Sequence, residues 1–394
     1  MSSEHRYTEV SRESWFSRLK GAIKGIVLGL VLFIAAFFLL FWNEGRAVKD
    51  YQTLQEGAGA VISVPADRID PVHEGKLVHL TGKAVTEETL RDPDFGVAAN
   101  ALRLERNAEM YQWQERSERK TEKKLGGAEE TTTTYSYSKT WSASLISSSG
   151  FHQQAGYENP GALPFTSAEQ LARNVTVGAF NLPPTLTGKI SNFESLPVST
   201  AIPLPENAAG RKVWRHGNGF YLGDDPNVPQ IGDMRISFNV VPLTEISIVA
   251  QQRGTSLEPY RSKAGGSIEL LEVGTQNAAA MFKSAEQSSK QLTWLLRVGG
   301  FMLMLIGLNM MLRVLSVTAD ILPIFGSIVG AGTGIISFLL AVILSLFTIA
   351  AAWVIYRPLI GIVLLVVATA LIWTVCSRFR ARRPAAAMPP PPPR

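Results

Sequence analysis

Residues 23–42 read IKGIVLGLVLFIAAFFLLFW, with Lys24 as the one charge in the stretch. A helix needs about 20 apolar residues to cross a hydrocarbon core ~30 Å thick, so these residues predict a membrane span. Three runs of the same kind lie toward the other end, at 294–315, about 334–353 and 359–376. Residues 43–293, between the first run and the second, have ordinary soluble composition. The reading is an integral, multi-pass membrane protein of the α+β class: four transmembrane helices, one N-terminal and three C-terminal, with a large β-rich domain inserted between helices 1 and 2.

Charge sets the expected topology. The segment before the first run carries Arg6, Arg12, Arg18 and Lys20, with Lys24 at the run's start, and the one after the last run carries Arg378, Arg380, Arg382, Arg383 and Arg394. Basic flanks mark the cytosolic side, so residues 1–22 and 377–394 are expected in the cytosol. Four crossings agree with that, and 43–293 then faces the periplasm or an organelle lumen. The formal net charge of +5 belongs to the tails, while the inserted domain has more acidic than basic residues. Nothing in it marks a nucleic-acid partner. Phe41-Trp42-Asn43-Glu44 offers no small-residue cleavage site, so the first run reads as an anchor. The one cysteine, Cys376, lies in the last run, and the inserted domain must fold without disulfides.

Within 43–293 the pattern is mostly β. Residues 76–83 (KLVHLTGK) alternate, as do the aromatic stretches 110–114 (MYQWQ) and 135–141 (YSYSKTW). The charged stretch 115–130 between the last two predicts a long hairpin with an exposed tip. Further strands are expected at 212–215, 220–222, 234–241, 245–252 and 267–273. Ser167 followed by Gln170 has the form of a capping box, which predicts a helix carrying Leu171, Val175 and Phe180. The Pro- and Ser-rich piece 183–205 suggests a boundary between two lobes. Residues 277–291 look helical and continuous with the second span. In the first tail, residues 8–20 place Trp15, Phe16 and Leu19 together on a helix, either an interfacial helix or an extension of the first span.

The membrane part holds its own polar residues. Asn309 and Arg313 share a face of the second helix, and Asp320 follows in the connection. Asn309 predicts an interhelical hydrogen bond, with Ser345 or Thr348 as partners. Arg313 reads as a snorkelling anchor or as part of an ion pathway. The third run is too long for one crossing, so 324–355 is expected to hold an interfacial segment followed by a span, and 358–376 the fourth. Gly326, Gly330 and Gly334 recur at the spacing of close helix packing. No phosphate loop, nucleophile elbow or zinc motif occurs, and no catalytic residue, metal ligand or cofactor is assigned. The histidines are scattered, Asp224-Asp225-Pro226-Asn227 has turn composition, and Glu105, Glu109 and Glu115 are spread along a strand.

A collinear series of segments carries a resemblance. NEGR at 43–46, EGKLVHLTG at 74–82, DPDFGV at 92–97, EMYQWQE at 109–115, TYSYSKTW at 134–141, NPGA at 159–162, GDMRISF at 232–238, QQRG at 251–254, GLNMMLR at 307–313 and YRPL at 356–359 together resemble the transmembrane protein 43 family, also called LUMA. The resemblance covers residues 20–376 and departs at the Arg- and Pro-rich C-terminus. It implies a non-enzymatic scaffold that self-associates, resident in the endoplasmic reticulum and inner nuclear membrane of animals, where members bind lamins and emerin. In a bacterium it implies an inner-membrane protein with a periplasmic domain. The expected partners are the lipid bilayer, other copies of the chain and other membrane proteins. Tyr111, Trp113, Tyr135 and Tyr137, or the charged tip from Arg116 to Glu130, are the expected oligomer contacts, since a two-faced aromatic hairpin asks to be covered. Two other classes stay open: a transporter or channel component using Asn309, Arg313 and Asp320, and a lipid-modifying membrane enzyme.

Overall fold

Strand alternation and helical apolar runs are both realised, in separate parts of the chain. A computed structural model describes residues 6–357, apart from 200–201, 203, 205–207 and 321–322. The expected fourth span, 358–376, lies outside the described residues. Two units emerge, one made of Met1–Trp15 with Asp50–Ser288 and the other of Phe16–Lys49 with Ser289–Arg394.

The first unit is a β-sandwich. Its principal strands are β1 (Arg6–Glu13), β2 (Leu77–Val85), β3 (Arg103–Lys123), β4 (Glu129–Ser142), β5 (Gly219–Leu222), β6 (Met234–Val241) and β7 (Glu245–Arg253). One sheet of eight strands runs β1-β4-β3-β6-β5 and ends on Val213–His216. The other, of seven, is built on the antiparallel pair β2 and β7, with Ile248 opposite Leu80. The alternation along β3 shows why the sheets stack: Leu104, Ala108 and Met110 are buried in a single core with Phe220, Ile236 and Phe238 of the same sheet and Leu80, Ile246 and Ile248 of the other. Phe95 fills the centre, with ring centroids 5.5 Å from Phe220 and 6.0 Å from Phe238. Alternate positions on a pleated strand face one side, and two such faces bury a continuous core.

Past Trp113 the apolar alternation of β3 gives way to Glu115-Arg116-Ser117-Glu118-Arg119-Lys120, and residues 116–122 are exposed. β3 and β4 nevertheless stay paired in register down to Lys123↔Glu129, as a ribbon extending beyond the core. Its tip turns through Gly126 and Gly127, both at positive φ, which glycine adopts without a steric penalty.

Four expectations are corrected. Residues 6–13 form strand β1 rather than a helix over 8–20, paired antiparallel with β4 from Arg6↔Ser136 to Glu13↔Glu129. Thr8 and Val10 suit an extended strand, and the Thr131–Thr134 edge offers backbone partners. That pairing is at variance with a membrane lying between residues 1–22 and residues 43–293. Residues 168–182 are strands, not a helix: Val175, Val177, Phe180 and Leu182 are buried in the common core, and the Ser167 hydroxyl accepts from the Ala108 amide instead of capping. Burial on a β surface outweighs a local capping signal. The two-lobe division at 183–205 is absent, because residues before and after it share that core.

The fourth correction concerns the second unit. Its helices come from α1 (Trp15–Ala60), α2 (Ala278–Ala319) and α3 (Pro323–Tyr356), and all three are long and apolar enough to cross a membrane. α3 is one unbroken helix where an interfacial segment and a break were expected at 324–355. Its glycines serve close approach: a Cβ on Gly326 would strike Asp320, and one on Gly330 would lie 3.0 Å from the Ser316 hydroxyl. As expected, residues 277–291 continue into the second span.

Candidate functional site

The helical unit concentrates buried charge on apolar helices, where each charge must be paired. α1 and α2 touch at two glycines. A Cβ on Gly29 would lie 2.7 Å from the Gly307 carbonyl oxygen, and one on Gly307 would lie 2.7 Å from that of Gly29. Around this contact Ala36, Leu40, Met304, Leu308 and Ala341 form a dry core.

An ion pair closes each end. Toward the C-terminal side of the first apolar run, Glu44 is 1 % exposed and takes both nitrogens of the Arg297 fork, at 2.7 and 2.8 Å. The Trp353 indole donates to the same carboxylate at 2.7 Å, so all three helices meet on Glu44. The Arg297 guanidinium lies 4.9 Å from the Trp294 ring and 5.9 Å from that of Trp353, a cation–π arrangement. Beside it Asn43 donates to the Thr293 carbonyl, and Arg46 bridges Asn43 and the Thr293 hydroxyl. At the opposite end Arg18 of α1 is paired with Asp320, just past α2, both side chains buried. From Arg18 to Glu44 is ~39 Å of helix at 1.5 Å per residue, roughly the thickness of a bilayer from headgroup to headgroup. The two pairs are thus separated by about the span of a bilayer, with acid and base exchanged between the helices. Such a lock fixes register and antiparallel orientation.

The polar residues expected to act together are kept apart. The Asn309 amide donates to the Leu305 carbonyl of its own helix at 3.1 Å. Ser345 points to the Met304 sulfur and Thr348 to the Leu344 carbonyl, so neither forms the expected bond with Asn309. An amide satisfied one turn back has no need of a neighbouring helix. Arg313 is exposed, and Asp320 belongs to Arg18. Glu44, Arg297 and Arg18 were not singled out from sequence. The available signal was the pattern of opposite charges at matching ends of two antiparallel apolar runs.

The hairpin aromatics are covered by their own chain. Tyr111 packs on Trp141, Trp113 on Tyr157 beneath the Lys139 ammonium, Tyr135 stacks on His152 at 4.1 Å, and Tyr137 stacks on Tyr157 at 4.0 Å. Burial first, then donation to Glu115, pushes the Tyr137 hydroxyl up to about 12 from the ordinary 10. A raised phenol pKa means the folded state favours the neutral form, so this contribution is complete below pH 10 and is lost as pH rises through 12. Tyr137→Phe, with no proton to lose, should flatten the fall in melting temperature of the β unit between pH 10 and 12. Parallel pH profiles for the two proteins would contradict this.

Among the described residues no group of three His, Cys, Asp or Glu side chains is placed to hold a metal ion. His79 bridges Ser63 and the Gln276 carbonyl. Asp225 accepts from the Asn227 amide in a turn. Glu105 takes Asn239, and Glu109 takes Arg235.

The model of the family described as Transmembrane protein 43 matches residues 110–358, a stretch that runs from within β3 through α3. The chain belongs to the transmembrane protein 43 family. Two relatives named Transmembrane protein 43 are each 36% identical to it: that of Homo sapiens over 88% of this chain and 87% of its own length, that of Rattus norvegicus over 82% of each. The Transmembrane protein 43 homolog of Drosophila melanogaster is 28% identical over 83% of this chain and 87% of its own. No solved structure matches. The transmembrane protein 43 family match takes in α2 and α3, with Arg297 and Asp320. Family and helices together identify an integral membrane protein.

Proposed function

We propose that this member of the transmembrane protein 43 family is a non-enzymatic membrane scaffold that self-associates and organises membrane or membrane-protein assemblies. The reading places the β-rich unit on the extracytosolic side, in a bacterial inner membrane or, in a eukaryote, in the endoplasmic reticulum and inner nuclear membrane. One observation carries it. β3 and β4 run on beyond the sandwich core as a polar ribbon with residues 116–122 exposed. Ordering that many residues costs conformational entropy that no core burial repays, which is the economy of a contact surface. With Tyr111, Trp113, Tyr135 and Tyr137 occupied by intramolecular partners, the charged tip is the one of the two expected contacts that this reading favours. Copies held in one membrane are pre-oriented, so modest contacts suffice to associate them.

Native mass in mild detergent tests this. The wild type should run at a multiple of its 43.0 kDa chain mass. Replacing residues 118–134 by Asn-Gly keeps Ser117 opposite Tyr135 across a two-residue hairpin turn; this variant should retain the melting transition of the sandwich and fall to the mass of one chain. A wild type that is strictly monomeric, in detergent and in native membranes, sinks the scaffold reading.

A further inference from the structure

One edge of the ribbon carries no strand. Beyond Trp113, β3 is paired with β4 on one side and, among the described residues, with no strand on the other. On that other side the Tyr111 amide donates to the Asp233 carbonyl and the Trp113 amide to the Asn159 side chain, which donates back to the Trp113 carbonyl. Peptide groups of alternate residues face the same edge of a strand, so Ser117, Arg119 and Thr121 turn their N–H and C=O groups to solvent. The exposed stretch is 116–122, centred on Arg119. Just past it the tip turn begins, where the Lys124 amide donates to the Ala128 carbonyl. An open edge of this kind takes up another strand wherever its side chains allow.

Here the side chains allow very little. Arg116, Glu118, Lys120 and Glu122 share one face, as alternate residues of a strand do, and their signs alternate. Charge on an edge discourages general pairing, but a second copy laid antiparallel can match it. A two-fold axis perpendicular to the ribbon sets one residue opposite its own copy, and that residue fixes every other pair. Centred on Glu118, the axis sets Glu118 on Glu118 and Arg116 on Lys120; centred on Lys120, it sets Lys120 on Lys120 and Glu118 on Glu122. Like charges directly opposite are destabilising. Centred on Ser117, the second strand reaches Trp113, where Asn159 already holds the edge. Centred on Thr121, it runs into the tip turn and sets Arg119 on Lys123. Centred on Arg119, the whole exposed stretch pairs: Arg116 with Glu122, Ser117 with Thr121 and Glu118 with Lys120, each twice by symmetry. Arg119 meeting its own copy is then the single like-charge contact. Glu122 now contacts Lys120 and Lys124 at 3.1 and 3.2 Å, but in the open, where ion pairs contribute little and exchange readily. Pairing of one patch with itself is the ordinary geometry of a two-fold dimer.

We propose that residues 116–122 of β3 pair antiparallel with the same residues of a second copy, about a two-fold axis at Arg119, joining two arms into one continuous sheet. The proposal rests on the self-association reading and gives it an address, and β1 keeps its place along β4 at the far side of the ribbon. Two differently tagged full-length chains, each with Cys376→Ser, one with Glu118→Cys and the other with Lys120→Cys, are co-expressed and oxidised in native membranes. The expected result is a disulfide-linked band carrying both tags. Either variant alone should give no such band, because its own cysteine lies two residues along the second strand, beyond the ~7 Å between Cα atoms that a disulfide can bridge. Equal crosslinking by either variant alone would overturn the register and with it the proposal. Charge reversal reads the same pairing without cysteines. Glu118→Lys should bring the native mass in mild detergent down to one chain, and Glu118→Lys/Lys120→Glu should restore it, with the melting transition of the sandwich unmoved because both positions are exposed. No two-tag band, with a native mass still above one chain, would overturn the proposal while leaving self-association standing. A strictly monomeric wild type would remove both.

Discussion

Asp320→Ala should destabilise the helical unit by about 3–5 kcal/mol, the usual cost of leaving one member of a buried ion pair unpartnered. Arg18 and Asp320 are 5 % and 0 % exposed, so the abandoned guanidinium has little water to turn to. Thermal unfolding in mild detergent, followed by helical circular dichroism, should show the transition move down by many degrees. The double substitution Arg18→Met/Asp320→Leu should recover most of the loss, because an apolar pair of similar volume spares both desolvation costs. A single mutant as stable as the wild type would show that the pair holds nothing together. Asp320→Asn separates charge from shape: it keeps a group that can accept a hydrogen bond and should fall between the two.

Phe238→Ala should cost a similar amount, about 3–5 kcal/mol, in the other unit. Phe238 is fully buried and packs against Phe95 and Phe220 at the centre of the sandwich. Removing it leaves a cavity walled by two sheets, whose backbone hydrogen bonds hinder collapse. The expected signature is a lowered β transition with the helical transition unmoved, mirroring Asp320→Ala. If each substitution lowered both transitions equally, the chain would unfold as one cooperative block.

Much of this was legible in the sequence. The apolar runs announced the membrane helices because a span needs length and apolarity, both local properties. The aromatic alternation at 110–114 announced part of β3, and the charged stretch 115–130 announced the exposed tip. What failed was whatever depends on a distant partner. The Ser167 and Gln170 pair has helix-start chemistry, but Val175, Val177, Phe180 and Leu182 gain more by lying on a strand against Phe238. Asn309 looked like a bridge and found its partner one turn away. Glu44 stood out only as part of the Phe41-Trp42-Asn43-Glu44 junction, and nothing near it in sequence points to Arg297. Residues 8–20 carry a helical grouping around Trp15 and Phe16, yet the half before Trp15 answers to an edge supplied by residues 129–136.

The Glu44–Arg297 lock also has a consequence in time. Its two members are separated by 253 positions, and a ribosome adding ~5–20 residues per second takes roughly 13–50 s to make the intervening chain. The Arg18–Asp320 lock, with a separation of 302, waits longer still. Through that interval the first helix has neither partner helix, and its acid and its base stand unpaired while the sandwich is still being synthesised. A newborn chain is thus a single-anchored intermediate whose charges await their counterparts, and anything that delays α2 prolongs the period in which quality-control machinery can recognise an unfinished membrane protein.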